Sequence, residues 1–586
     1  MLRMALAVLF GLLLVASVVM VTGLLDSREN AKQPKVQTQA DAVAEPAIQN
    51  ETPLKNSAAA PPEEVTTDIT ATESGESARA EVSLSSESSA VQEPKPSDEN
   101  ADASTEKSPA PIEEPASETP EEPAPVLSEA QRTALEKIDD FRRDILDTNR
   151  SIWDYAEVGL KESRSSALLI SKLRSQGFEV SAGVANMPTA FVASYGSGKP
   201  VIGILAEYDA LPGLSQKVTT QREPVNAGEP GHACGHSGLG AGAMGAAVAV
   251  KRAMEKHGLS GTIRLYGTPA EETVIGKVYM LLDGQFDDLD VCLHWHPSSR
   301  NEVWSGSSKS LVSAKFTFSG TAAHASVSPE QGRSALDAVE LMNAGVNYMR
   351  EHVKDDARIH YVITNGGAAP NVVPAKATVW YYVRANQHSD AAFYYSWIRD
   401  IAKGAAIMSR TEVDVTVDTD CHELIPNTPL SEMLYRNLQT VSPPTFTEEE
   451  HAFSRRLQMP LFEEFGTQFE LALDESIHPI NVSMDANTGS TDVGDVSWYV
   501  PTGGVRAACF PAGSPGHSWQ NVASIGSTIG EKGIIYATEV LAVSAIQLFE
   551  HPELIAEARA DWEQRMQGRQ YTTLIPAGQK VPAAIR

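Results

Sequence analysis

Cysteine, aromatic side chains and positive charge are all scarce in this chain. Its 586 residues include 4 cysteines, at positions 234, 292, 421 and 509. These are too few and too scattered for a disulfide framework. Lys and Arg number 47 against 76 Asp and Glu, a net charge of −29. No basic face is available for phosphates, so nucleic acid is excluded as a partner. Aromatic residues make up 6%, and residues 26–127 contain none, nor any Cys, His or Met. That stretch carries 22 acidic against 7 basic residues and is dense in Pro, Ala and Ser. It lacks the apolar area to offset its backbone entropy and is expected to be disordered. About half of the net charge lies there. The acidity therefore describes a solvated tether, not a substrate.

Ahead of the tether, Met4 to Leu25 is apolar and uncharged. A run of about 20 residues spans a bilayer of ~30 Å, and signal-peptide cores are shorter. Residues 1–25 therefore read as a membrane anchor or, alternatively, a cleaved signal. Arg3 before the run and the acidic flank after it place the remainder outside the cytoplasm, in the periplasm or at the cell surface.

Globular patterning begins at Ser128-Glu129, with Leu135, Ile138, Phe141 and Ile145 at helical spacing. A second helix is expected over 163–175. Short apolar strands follow at 178–180, 190–194, 201–207, 262–266 and 291–295, alternating with helices. That order implies an α/β fold with a mixed, mainly parallel sheet and helices on both faces. Residues 311–424 then read strand, helix, strand, strand, helix, strand. This βαββαβ order is that of a ferredoxin-like sandwich, inserted as a lid. The expected division is 128–310 and 425–586 for the catalytic domain, around the lid.

The most informative octet is Gly231-His232-Ala233-Cys234-Gly235-His236-Ser237-Gly238. Cys234 and His236 are one residue apart. On a helix they would diverge by roughly 200°, whereas on a glycine turn they can face one cation. The small apolar run Leu239–Lys251 behind them reads as a buried helix. Gly240, Gly242 and Gly245 match a dinucleotide fingerprint as a string, but they fall inside that helix and read as close helix packing.

Four further signals are each weak alone. Glu271-Glu272 follows a strand, where one carboxylate can bind a metal while its neighbour takes a proton from water. His294 and His296 end an apolar strand on the same side, so either is a candidate ligand. Gly489 to Asp495 is a glycine-rich acidic turn, and His517 sits on a Ser-Pro-Gly loop. Together they supply Cys, His, Glu, His and His, a ligand set for a divalent transition metal.

The order of these boxes resembles the M20 metallopeptidase and amidohydrolase family, in its branch of amino-acid-conjugate hydrolases. The likeness runs over about residues 130–570. It is carried by Ala206-Glu207-Tyr208-Asp209-Ala210-Leu211-Pro212, His232 to His236, Pro269 to Glu272, Gly320 to Ala325 and Pro370 to Pro374. The resemblance implies that Cys234, His236, Glu272, His296 and His517 hold one or two divalent ions, Mn²⁺ or Zn²⁺, with Cys234 bridging. It implies Glu271 as general base and acid, and His324 on the lid reaching the scissile carbonyl from the partner of a dimer. Asn371 and Arg384 would grip the substrate's carboxylate. Other branches carry a ligand histidine where this chain has Glu207. Asp209 is accordingly expected to orient a ligand histidine. His296 precedes Pro297 directly, so His294 stays a lesser candidate.

The expected activity is metal-dependent cleavage of the amide bond of an N-acyl or N-aroyl amino acid, by a homodimer joined through its lids. A dipeptidase or carboxypeptidase of the same fold and a non-catalytic metal-binding surface protein are the alternatives.

Overall fold

The structure is a computed structural model that describes residues 126–486 and 489–582. The expectations for residues 1–125, the anchor and nearly all of the tether, lie outside the described residues.

The first helix, α1 (Glu129–Tyr155), starts where its sequence directs. Ser128 Oγ accepts from the Gln131 backbone N–H at 3.1 Å, and Gln131 Oε1 accepts from Ser128 N–H at 2.8 Å. This reciprocal pairing satisfies two N–H groups that a helix start otherwise leaves open. The stripe Ile138, Phe141, Ile145 and Ile152 is buried. Helix α2 (Ser163–Ser175) follows.

Five strands are then laid down: β1 (Glu179–Ala182), β2 (Phe191–Ser197), β3 (Val201–Ala206), β4 (Gly261–Gly267) and β5 (Val291–Ser298). Helices α3 (His236–His257) and α4 (Gly276–Leu282) are interleaved with them. With β6 (Glu302–Val303) and β11 (Thr502–Ala508) these strands form a sheet in the order β1-β2-β4-β3-β5-β11-β6. The four central strands, β4, β3, β5 and β11, run parallel; β1, β2 and β6 pair antiparallel at the edges. Helices cover both faces of the parallel centre. That is why Val201 to Ala206 is a continuous apolar run, buried at every position, rather than an alternating one.

Helix α3 lies in the core against α1 and against the late helix α11 (Thr528–Glu550). Its glycines set the spacing. A Cβ at Gly245 would fall 2.5 Å from Ile145 Cδ1, and one at Gly238 would fall 2.7 Å from Ile534 Cδ1. Both neighbours are core side chains, so the glycine string serves helix contact. By length and composition α11 could cross a membrane, yet it is mostly buried in the protein core.

The lid order is as its pattern predicts. Strands β7 (Ser310–Ser319), β8 (Arg358–Asn365), β9 (Lys376–Ala385) and β10 (Glu412–Cys421) form an antiparallel sheet in the order β10-β7-β9-β8. Helices α5 (Ala335–Met349) and α6 (His388–Ser409) pack on one face of it. On β9, Ala377, Val379, Tyr381 and Val383 are buried towards those helices, while Trp380, Tyr382 and Arg384 are half-buried on the other face.

After the lid come α7 (Thr428–Val441), α8 (Glu448–Phe465), α9 (Val493–Ser497), α10 (Trp519–Ile525), then α11 and α12 (Pro552–Met566). Residues 568–582 have no regular structure but are tied to the lid junction. Leu574 N–H donates to Asp420 Oδ2 at 2.6 Å, and Tyr571 Oη donates to Asp495 Oδ1 at 2.9 Å. Side-chain pairing of this kind leaves no periodicity for a sequence reading to find.

One half-buried acid makes stability depend on pH. Burial, reinforced by Asp139, pushes the Glu539 carboxyl up to about 7, although Arg142 lies 3.7 Å away and opposes the shift. The folded-state value is above the ordinary one near 4.5. Glu539 therefore favours folding fully below that value, and the contribution is lost as pH rises through 7. Glu539→Gln is expected to exceed the unmodified protein in stability by ~1–3 kcal/mol at pH 8. The advantage should shrink towards pH 5. Denaturant titrations at the two pH values check this, and a pH-independent difference would contradict it.

Candidate metal centre

Four loops meet at the carboxyl ends of the parallel strands, where open α/β sheets place their ligands. Glu207 and Asp209 follow β3, Glu271 and Glu272 follow β4, His296 closes β5, and His517 lies on the loop after β11. Cys234 and His236 enter from the amino end of α3. Gly235 between them is at φ +84°, and a Cβ there would meet Pro297 at 2.9 Å. This left-handed residue turns the chain so that thiol and imidazole face one space. Ala270 and His517 also hold left-handed backbone, at φ 58° and 57°. For residues with a Cβ, such strain concentrates at functional sites.

The candidate ligands fall into two groups that share one sulfur. Donor atoms of Cys234, His236 and His296 lie within 4.8 Å of one another, as do those of Cys234, Glu272 and His517. Cys234 Sγ is 3.3 Å from His296 Nε2, and Glu272 Oε2 is 3.4 Å from His517 Nε2. His236 donates from Nδ1 to Asp209 Oδ1 at 2.9 Å, and the other Asp209 oxygen accepts from the Glu272 backbone N–H at 3.0 Å. Asp209 thus aims Nε2 of His236 into the site while holding the chain beside Glu272.

The polar groups here fit a cation. His236 Nε2 and Glu272 Oε1 are buried and make no hydrogen bond among the described residues. Orphaned acceptors of this kind are costly unless something positive meets them. Burial pushes the Cys234 thiol far above its usual value, with the Glu272 charge adding to the shift. A divalent ion reverses that preference and draws the thiolate out. Burial also lifts Glu272 to about 8, against the opposing His236, and holds Glu271 well above the ordinary carboxylate range with help from Glu207.

Arg384, on β9, lines the same cavity, of about 230 Å³, together with Trp304, Tyr382 and Arg506. Its Nη1 donates to Ser490 Oγ at 3.3 Å; its Nε is buried with no partner among the described residues. His324 and Asn371 do not line this cavity in the same chain. They neighbour each other on the exposed rim of the lid, where Ala325 N–H donates to the Asn371 carbonyl at 3.0 Å. His294 belongs to neither ligand group: its ring packs over Gly504 and beside Trp304.

Pattern reading missed a buried ion triad behind the site. Lys277 pairs with Glu207 at 2.7 Å and with Asp492 at 2.5 Å, all three fully or almost fully buried. A lysine inside an apolar helix carries no sequence signal of its partners. Trp304, just past β6, and Arg506, within β11, also line the cavity without a signal in the sequence, because a residue facing a cavity and one facing the core carry the same local pattern.

A mixed α/β fold with an inserted βαββαβ lid and a Cys/His/Glu cluster at the strand ends defines a hydrolase of amide or peptide bonds. Comparison with known proteins agrees. Residues 307–407 match the M20 peptidase dimerisation domain. A p-aminobenzoyl-glutamate hydrolase subunit of Escherichia coli (strain K12) is 39% identical over 472 residues, 77% of this chain and 98% of that protein. The Xaa-Arg dipeptidase of Mus musculus is 27% identical, covering 78% of this chain and 98% of its own. A solved structure of an aminobenzoyl-glutamate utilization protein from Klebsiella pneumoniae aligns with TM-score 0.48 at 17% identity, over 70% of this chain and 97% of that one. The chain belongs to the M20 family of metallopeptidases and amidohydrolases.

Proposed function

We propose that this enzyme cleaves the amide bond of an N-aroyl or N-acyl amino acid with a free carboxylate, p-aminobenzoyl-glutamate being the first substrate to test. The observation that carries this reading is Arg384, a guanidinium with an orphaned N–H in the wall of the metal cavity. A planar fork of donors suits a carboxylate. Trp304 and Tyr382 line the same cavity and offer flat apolar walls for an acyl ring. The name of the 39% identical relative points the same way.

In this reading Cys234, His236 and His296 would hold one ion, and Cys234, Glu272 and His517 would hold a second, Mn²⁺ or Zn²⁺. Bound there, divalent ions supply Lewis acidity to the carbonyl and acidify water. Glu271, kept protonatable by burial, takes a proton from the attacking water and returns it to the leaving amine. Arg384 orients the substrate through its carboxylate. His324 and Asn371 act from the lid of a second copy, because their own chain does not bring them to the cavity. Residues 1–25 would tether the enzyme outside the cytoplasm, and protease accessibility on intact cells tests that location.

The principal test is a substrate panel run on metal-stripped protein restored with Mn²⁺ or Zn²⁺. N-aroyl-glutamates should be turned over faster than dipeptides, and Arg384→Ala should raise KM by roughly 10-fold or more through the lost charged hydrogen bonds. Preference for dipeptides would replace this reading with the dipeptidase one. No turnover of any panel member would leave a non-catalytic metal protein. The dimer contribution is checked by mixing His324→Ala and Glu271→Gln protomers. Activity should reappear in the mixed dimers if His324 serves the partner's site.

A further inference from the structure

The residue after β3 is placed to do more than fill space. Glu207 Oε2 lies 3.3 Å from His236 Nε2. Both atoms are buried, and neither makes a hydrogen bond among the described residues. His236 Nδ1–H is committed to Asp209, so Nε2 is the ring nitrogen that faces Glu207 Oε2. A buried carboxylate oxygen beside a ring nitrogen with no hydrogen bond calls for positive charge between them, a proton on the imidazole or a metal ion. Donor atoms of Glu207, His236 and Glu271 in turn lie within 4.8 Å of one another.

The far side of Glu207 is equally specific. Its Oε1 pairs with Lys277 Nζ, and Lys277 also pairs with Asp492. Three elements contribute: the loop after β3, helix α4 and the residue before α9. One lysine between two carboxylates leaves a net negative charge of one. That surplus sits on the side of Glu207 facing His236, whereas a purely structural pair would be neutral. A cation in the adjoining site balances it.

We infer that Glu207 is a further metal ligand, donating Oε2 to an ion it would share with His236, with Lys277 as the residue that positions it. The inference rests on the metal-centre reading above. It would add a carboxylate oxygen beside the His236 imidazole to the donors available to a divalent ion. It also accounts for a buried lysine with two acidic partners directly behind the ligand cluster.

The test titrates Co²⁺ into the metal-stripped full-length protein and reads its visible absorption and metal stoichiometry. Glu207→Gln leaves Lys277 and Asp492 as a neutral pair, so the variant should fold. Asp492→Asn disturbs the same triad but keeps the Glu207 carboxylate. In Glu207→Gln one ion should bind roughly 10- to 100-fold more weakly, and its absorption band should change shape as a ligand is lost. Asp492→Asn should keep the unmodified band. Bands superimposed on those of the unmodified protein in both variants overturn the inference, and so do equal changes in both, which would make Glu207 only a counter-ion. If the unmodified protein takes up no Co²⁺, the metal-centre reading falls first, a result separate from either variant's behaviour.

Discussion

Glu271→Gln is expected to lower kcat by about 10²–10⁴-fold, the usual weight of a positioned general base, while the ions stay bound. Glutamine keeps the volume and one oxygen of glutamate, but its amide neither takes nor gives up a proton near neutral pH. Glu271 and Glu272 are adjacent on a short 3-10 turn, and the turn sends their carboxylates to different sides of the cavity. Glu272 reaches the group with Cys234 and His517, whereas Glu271 points to the His236 side, its Oε2 3.8 Å from Nε2. Burial, joined by the charge of Glu207, keeps the Glu271 carboxyl well above its ordinary range. A group that both takes and returns protons near neutrality needs that shift. Steady-state rates and metal analysis on the same preparation check the prediction. Undiminished turnover would remove Glu271 as the base, and loss of metal would make it a ligand instead.

The second large effect concerns Cys234. It is the residue common to both ligand groups, so Cys234→Ala should weaken both ions together. His517→Ala should weaken only the ion it shares with Glu272. The loss at Cys234 should exceed the roughly 10–100-fold that removal of an outer partner costs. Stoichiometry after dialysis against a weak chelator gives the answer. Retention of two ions by Cys234→Ala would show that the sulfur bridges nothing. The other three cysteines, Cys292, Cys421 and Cys509, are fully buried among core residues, and their conservative replacement should leave the metal count unchanged.

The two predictions differ in what they probe. On the proposed reading, Glu271→Gln would remove a proton carrier from an assembled centre, and Cys234→Ala would remove the atom shared by both ligand groups. Activity should fall in both, and metal content should tell them apart.

Much of the fold was legible because periodicity is a local property. The Ser128 cap, the run Val201–Ala206, the helix behind Cys234 and the βαββαβ order all follow from spacing that neighbouring residues share. The residue types of the centre were legible for a similar reason: Cys234-Gly235-His236 and Glu271-Glu272 put unusual chemistry side by side. The sequence by itself thus determined which elements form, in what order, and which side chains have the chemistry to ligate. Only the tertiary structure decided who meets whom. It set His296 rather than His294 against the Cys234 sulfur, because the His294 ring is taken up over Gly504. It placed Arg384 in the cavity wall and left His324 and Asn371 on the exposed rim. It closed Lys277 between Glu207 and Asp492, which stand 70 and 215 positions away from it in the chain. Charges interact through distance in space, and no period along a sequence records a contact between residues that far apart.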